Sequence, residues 1–130
     1  MNKKRLVLLV LLFSFSIVGT CLAGELSFNK KFVDSNSWTL IGSAVKDSYG
    51  SYGEVRILKM YNANQEEDAD YKKLKVKAAP NGEQTLAYKG RWCEVSIPLA
   101  YQLEGTSIQL FGMGNDSTLD CYITGYWNVH

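Results

Sequence analysis

Few side chains in this sequence are suited to enzyme chemistry. Its one histidine is His130, at the end of the chain, so a Ser-His-Asp arrangement lacks a well-placed base. The chain contains no GxSxG, HExxH or P-loop motif. Glu54 and Glu94 would form a glycosidase pair only at a separation of about 5–10 Å, which the sequence does not establish. We therefore expect a protein that is not an enzyme.

The cysteines offer a second kind of chemistry. Cys93 and Cys121 lie in no CxxC motif, and no histidine cluster completes a zinc site. In each segment, strict alternation places the cysteine on the apolar face. A bridge between them would close about 29 residues and stabilise an exported protein by ~3.6 kcal/mol. The alternative, two free thiols with one catalytic, lacks a partner histidine, so we predict a Cys93–Cys121 disulfide.

An acidic segment, 62–70, spaces oxygen-bearing side chains at alternate positions: Asn64, Glu66, Asp68 and Asp70. Calcium takes six to eight oxygen ligands, which alternating loop residues can supply. The segment lacks the glycine and distal glutamate of an EF-hand, and its other interpretation is a solvated loop between strands. We predict neither a resident metal nor a cofactor.

Basic and aromatic residues supply the candidate binding surface. Lys73, Lys75 and Lys77 alternate along one segment and would attract an anionic wall polymer or phospholipid headgroups. Their other interpretation is a water-facing sheet protected against edge pairing. Trp38 and Trp127 have inward parity. The aromatic residues with outward parity are Trp92, Tyr122 and Tyr126, and we predict that they join the lysines in one surface for sugars or a protein.

The first residues resemble an export signal. Lys3, Lys4 and Arg5 precede the apolar run 6–18, and small residues permit cleavage after Ala23. A run of about 13 residues is short for a membrane anchor, which needs ~20. Lipid attachment at Cys21 is the other alternative, although the residue before it is a poor match. We expect residues 1–23 to be removed and a secreted or periplasmic product.

Charge and length limit the classes of protein. The chain has 14 Lys and Arg and 13 Asp and Glu. Loss of the three leader cations would leave 11 against 13, a net charge of −2. Such a balance argues against a nucleic-acid partner. No segment outside the leader is apolar and long enough to span a membrane, and residues 24–130 suffice for one domain.

The elements that must position these residues are strands. Seven segments are rich in β-branched and aromatic residues and bounded by turn residues: 37–46, 53–61, 71–79, 84–92, 93–99, 107–112 and 120–129. No window carries a helical apolar stripe. We predict an all-β antiparallel sandwich of about seven strands, with a small barrel as runner-up. Pro98 lacks a backbone donor, so its strand lies at an edge or ends there.

One hairpin can be predicted in detail. Pro80-Asn81-Gly82 suits a type I turn followed by a bulge with glycine at positive φ. This three-residue loop would pair Ala79 with Glu83, Val76 with Leu86, and Leu74 with Tyr88. The apolar pairs would then share the face opposite the lysines.

The C-terminal stretch carries a family resemblance. Gly114-Asn115-Asp116-Ser117, followed by Tyr122-Ile123-Thr124-Gly125-Tyr126-Trp127-Asn128, resembles the end of lactococcin-type bacteriocins and related exported Gram-positive proteins. The likeness covers about 20 residues; the cysteine pair and the ending Asn128-Val129-His130 depart from it. It implies a secreted β-sandwich that acts at the surface of other bacteria, on a cell-wall precursor.

Three functions follow in order of preference. The first is a secreted, non-enzymatic binding protein for a cell-envelope component or an extracellular protein, in its most concrete form bacteriocin-like. The second is a structural or matrix protein, or a protein-binding inhibitor, without antibacterial activity. The third is a small hydrolase.

Overall fold

Strands account for most of the residues that the computed structural model describes, which are 21–22, 24–115 and 120–129. One short 3-10 turn, Leu99–Tyr101, is the only helical element among them. The strands are β1 (Cys21–Leu22), β2 (Glu25–Val33), β3 (Thr39–Val45), β4 (Tyr52–Tyr61), β5 (Lys73–Ala78), β6 (Thr85–Tyr88), β7 (Trp92–Ser96), β8 (Ser107–Gly114) and β9 (Cys121–Asn128).

These strands form two antiparallel sheets. One has the order β1-β2-β9-β4-β7 and the other the order β3-β8-β5-β6. Each sheet keeps two open edges, so the β-sandwich is confirmed and the barrel is wrong. Within the described residues, no helix has the length and apolar character needed to cross a membrane.

The core lies between the sheets and follows from alternation along each strand. In β9 every second residue is buried, which directs Cys121, Ile123, Gly125 and Trp127 inward as predicted. Leu74 and Val76 of β5 point into the same core from the opposite sheet. The Trp127 indole N–H donates to the Ile108 carbonyl of the other sheet at 3.3 Å. This bond gives the largest buried side chain a fixed orientation.

The sequence did not predict β2. Its pairing with β9 shifts register between Phe28 and Lys31, and Lys30 within that shift has φ 48°. Such a bulge interrupts the alternation on which strand prediction depends. For this reason the polar run around Lys30 did not predict a strand, although it belongs to one of 9 residues.

The predicted hairpin register is wrong by one residue. β5 and β6 pair Val76 with Thr85 and Lys75 with Leu86, not Val76 with Leu86. The positive φ belongs to Ala79, at 62°, and Gly82 does not have a positive φ. The turn therefore begins one residue earlier, and Leu86 and Tyr88 project on the lysine side while Ala87 enters the core.

Pro98 marks the end of an edge strand, as predicted. β7 has one neighbour in its sheet and ends at Ser96. Pro98 then precedes the 3-10 turn, where it needs no backbone donor.

Candidate binding face

The predicted binding surface is divided between two sheets. Trp92, Tyr122 and Tyr126 lie on the outer face of the five-stranded sheet, whereas Lys73, Lys75 and Lys77 lie on the outer face of the four-stranded sheet. Because the two inner faces share one core, the outer faces point in opposite directions. The prediction of a single surface is therefore wrong. Parity gives the side of a strand on which a residue lies, but not the sheet to which the strand belongs.

The outer face of the five-stranded sheet, which we call the aromatic face, carries two rows of side chains across its strands. The first row follows the pairing of Ser27, Tyr126, Arg56 and Trp92. The Arg56 guanidinium carbon lies 5.9 Å from the Trp92 ring centroid, close enough for a cation–π interaction. Trp92 is 45% exposed, so its side chain is accessible to a ligand.

The second row joins Phe32, Tyr122 and Tyr61 by their pairing. The Phe32 and Tyr122 centroids are 5.5 Å apart with an interplanar angle of 64°, an edge-to-face arrangement. The Lys30 ammonium lies 5.0 Å from the Tyr61 centroid. Phe32 is not among the predicted binding residues because β2 was not predicted. Tyr61 is not among them because no local signal gives the register of β4 against β9.

A depression of about 230 Å³, lined by both polar and apolar residues, lies between the rows. Its lining includes Ser27, Asn29, Thr124 and Tyr126. The Thr124 hydroxyl donates to Asn29 Oδ1 and accepts from the Lys30 backbone N–H, both at 3.0 Å. The two rows are four residues apart along β9, which is a rise of about 13 Å. These polar groups lie within that length of strand.

Two β-bulges lie beside this depression. β2 shifts register between Phe28 and Lys31, and β4 shifts between Ile57 and Lys59. Both shifts flank β9 near Gly125, so the sheet is distorted on both sides of its central strand. Bulges of this kind redirect side chains and are frequent beside functional sites. Leu58, in the β4 bulge, lines the depression as a result.

The carboxylates singled out by the sequence are neighbours. Glu54 and Glu94 are directly paired between β4 and β7, which sets their Cβ atoms about 4.5–5.5 Å apart. Both side chains are exposed, and neither lines the depression.

The predicted disulfide is absent, and both Cys93 and Cys121 are free thiols. Cys93 pairs with Val55, which pairs on its other side with Trp127. Trp127 is six residues from Cys121 on β9, a separation of about 20 Å along the strand. A disulfide needs Cα atoms within about 7 Å. Both cysteines belong to the same sheet, at different levels, which matched parity could not reveal.

The two thiols have different surroundings. Cys121 is completely buried, and this desolvation, together with the neighbouring Asp120 carboxylate, raises its pKa to about 12. Cys93 is half-buried on an edge strand, with its sulfur 3.8 Å from the Arg91 carbonyl oxygen. Cys121 is therefore a core residue, and Cys93 is the accessible thiol.

Side chains of the acidic segment accept hydrogen bonds from the backbone of the same segment. Asn62 Oδ1 accepts from the N–H groups of Asn64 and Glu66, and Asp68 Oδ1 accepts from that of Asp70. In the described part of the chain, no three or more His, Cys, Asp or Glu side chains are grouped to hold a metal ion. The four predicted oxygen ligands therefore do not converge.

No protein-family model, curated protein or solved structure matches the chain. The resemblance to lactococcin-type bacteriocins stays a prediction. Within its segment, residues 116–119 lie outside the described residues, and in β9 Tyr126 projects outward between the inward Gly125 and Trp127. Most of the predicted leader also lies outside them, but Cys21–Leu22 pair with β2 as β1, so cleavage after Ala23 would remove β1.

Proposed function

We propose that the protein is an exported, non-enzymatic binding protein that holds a glycan of an extracellular or cell-envelope surface on the aromatic face. The observation that carries this proposal is the presence of two rows of aromatic side chains on either side of a depression that polar and apolar residues line together. The bacteriocin-like version places that glycan on the surface of competing bacteria.

The chemistry of the face suits a polyhydroxylated chain. Aromatic rings such as Trp92 offer flat apolar area to the C–H side of a sugar, with little side-chain entropy to lose. Asn29, Ser27 and Thr124 supply amide and hydroxyl groups for sugar hydroxyls. With ring rows about 13 Å apart, the face fits several linked sugars better than one.

The same face also supports the second candidate, an inhibitor that binds an extracellular protein. Trp, Tyr and Arg are the residues that dominate protein interfaces. Trp92, Arg56 and Tyr126 stand side by side in one row. A protein ligand would use this row as its anchor.

Binding of purified protein to isolated cell-wall polysaccharide tests the proposal. We expect Trp92→Ala and Tyr126→Ala each to weaken binding at least about fivefold, because an interface anchor contributes more than ~1 kcal/mol. Tyr49→Ala is the matched control, since Tyr49 is 67% exposed in the loop between β3 and β4, away from both rows.

Thermal melts of all three variants must match the parent protein for this comparison to hold. Equal binding by all the variants would remove the aromatic face from the proposal. Capture of an extracellular protein in place of any polysaccharide, with loss in Trp92→Ala, would favour the inhibitor.

A further inference from the structure

The outer face of the four-stranded sheet, which we call the lysine face, combines cations with apolar side chains. Lys75 of β5 lies between Met113 of β8 and Leu86 of β6. Lys77 pairs with Phe111, which pairs in turn with Leu40. Lysine and apolar side chains therefore lie side by side on this face.

This face has more apolar surface than a water-facing sheet requires. An antiparallel sheet with one solvated face usually carries polar residues on that face. Here Leu40 is 43% exposed and Tyr88 is 42% exposed, while Phe111 and Met113 are half-buried beside lysine stems. β5 has neighbours on both sides, so its lysines do not protect an edge.

The charges on the lysine face have one sign. Among the outward residues of β3, β8, β5 and β6, three are lysines and none is Asp or Glu. Glu83 lies in the turn that joins β5 to β6, at the border of the face. The three carboxylates Glu25, Glu54 and Glu94 belong to strands of the other sheet.

Lys77 also has a structural role. Its ammonium lies 4.6 Å from the Trp38 centroid and donates to the Pro80 carbonyl at 2.7 Å. This contact holds the β5–β6 turn against the residue that precedes β3. Removal of the charge of Lys73 or Lys75 leaves this Lys77 contact in place.

We propose that the lysine face docks on an anionic phospholipid surface. Lysine ammonium groups would reach the phosphate headgroups while Leu40, Met113 and Tyr88 enter the boundary between headgroups and acyl chains. A second copy of the chain is a poor occupant, because face-to-face contact would bring two sets of lysines together without an acidic partner. Since the aromatic face points the opposite way, a membrane-bound protein would present that face outward.

Co-sedimentation with vesicles tests this docking. We expect the protein to bind vesicles of phosphatidylcholine with phosphatidylglycerol, and not vesicles of phosphatidylcholine alone. The double variant Lys73→Gln/Lys75→Gln should bind about 30-fold more weakly, or about fivefold for each lysine. Higher salt should reduce binding of the parent protein. The screening length between exposed charges is about 8 Å at physiological ionic strength and becomes shorter as salt is added.

Two matched variants keep the test specific. Lys31→Gln/Lys59→Gln removes the same charge from the other sheet and should leave vesicle binding unchanged. Leu40→Ser, at an exposed position on the edge strand β3, should weaken binding without changing the salt dependence. Melts that match the parent would exclude unfolding as the cause.

The outcomes separate this proposal from glycan binding. Equal loss of vesicle binding in the two double lysine variants would overturn it. So would a parent protein that does not bind anionic vesicles. Retention by an anionic wall polymer but not by vesicles would also overturn it in favour of that polymer. A dimer in solution that Leu40→Ser dissociates would show that a second copy covers the face. Polysaccharide binding through Trp92 is independent of each of these results.

Discussion

The Trp127 ring occupies the space that a side chain at Gly53 would need. A Cβ placed on Gly53 would overlap the Cη2 atom of that ring. Gly53 lies on β4 beside the strand that carries Trp127, and both residues are buried. The largest core side chain therefore lies against Gly53 of its own sheet while its indole N–H bonds to Ile108 of the other. Gly53 is therefore required by packing and not by backbone conformation.

Replacement of this glycine should destabilise the domain. We expect Gly53→Ala to lower the free energy of unfolding by ~1–3 kcal/mol, because overpacking forces neighbouring side chains out of their rotamers. Urea unfolding followed by tryptophan fluorescence measures the change. Ser51→Ala, at an exposed position just before β4, should stay within ~0.5 kcal/mol of the parent. Equal midpoints for the two variants would contradict the packing described for Gly53.

The two thiols should react at different rates. In the folded protein we expect a maleimide to label Cys93 and to leave Cys121 unlabelled, since Cys121 is buried and its thiolate is disfavoured. Labelling in denaturant should reach both residues. Mass spectrometry of the labelled peptides gives the result. If neither cysteine is labelled in the absence of reductant, and the protein has a mass two hydrogens below that of the reduced chain, the predicted disulfide would be correct after all.

Alkaline pH should weaken the fold through Cys121. Its pKa rises from 9.0 to about 12 on folding, so between these values the unfolded chain binds fewer protons than the folded one. Stability is complete below pH 9 and declines above it, by ~1 kcal/mol at pH 10. Urea midpoints at pH 8 and pH 10 measure the decline.

Cys121→Ala is the control for this effect. It should be less stable than the parent at pH 8 because it loses buried volume, but it should lose less between pH 8 and pH 10. Burial also raises the pKa of Tyr71, which acts in the same direction in both proteins. Parallel pH profiles for parent and variant would show that the Cys121 thiol does not contribute.

The β5–β6 turn gives a further test. A Cβ on Gly82 would overlap the carbonyl oxygen of Ala78, so Gly82→Val should destabilise by at least ~2 kcal/mol through backbone displacement. Asn81→Ala, at an exposed neighbouring position, is the control and should be nearly neutral. Thermal melts compare the two. A tolerated valine would mean that the turn follows another path.

Local pattern was sufficient for the faces of most strands. The alternation from Cys121 to Trp127 and from Leu74 to Val76 predicted which residues are buried, because side chains in a strand alternate strictly between its two sides. Five of the seven predicted segments carried no local signal for their partner strands, and the two that the β5–β6 turn joins were predicted one residue out of register. β2 was not predicted because its bulge at Lys30 breaks the alternation of buried and exposed residues.

The sequence by itself determined the all-β class, the side of most strands that faces the core, and the chemical character of the lysine and aromatic segments. Only the tertiary structure decided which strands became neighbours. Pairing separates Cys93 from Cys121, brings Glu54 beside Glu94, and sends Lys75 and Trp92 to opposite faces of the sandwich. The physical reason is that strand order and register depend on contacts between residues distant in the chain, whereas periodicity reports only on neighbours.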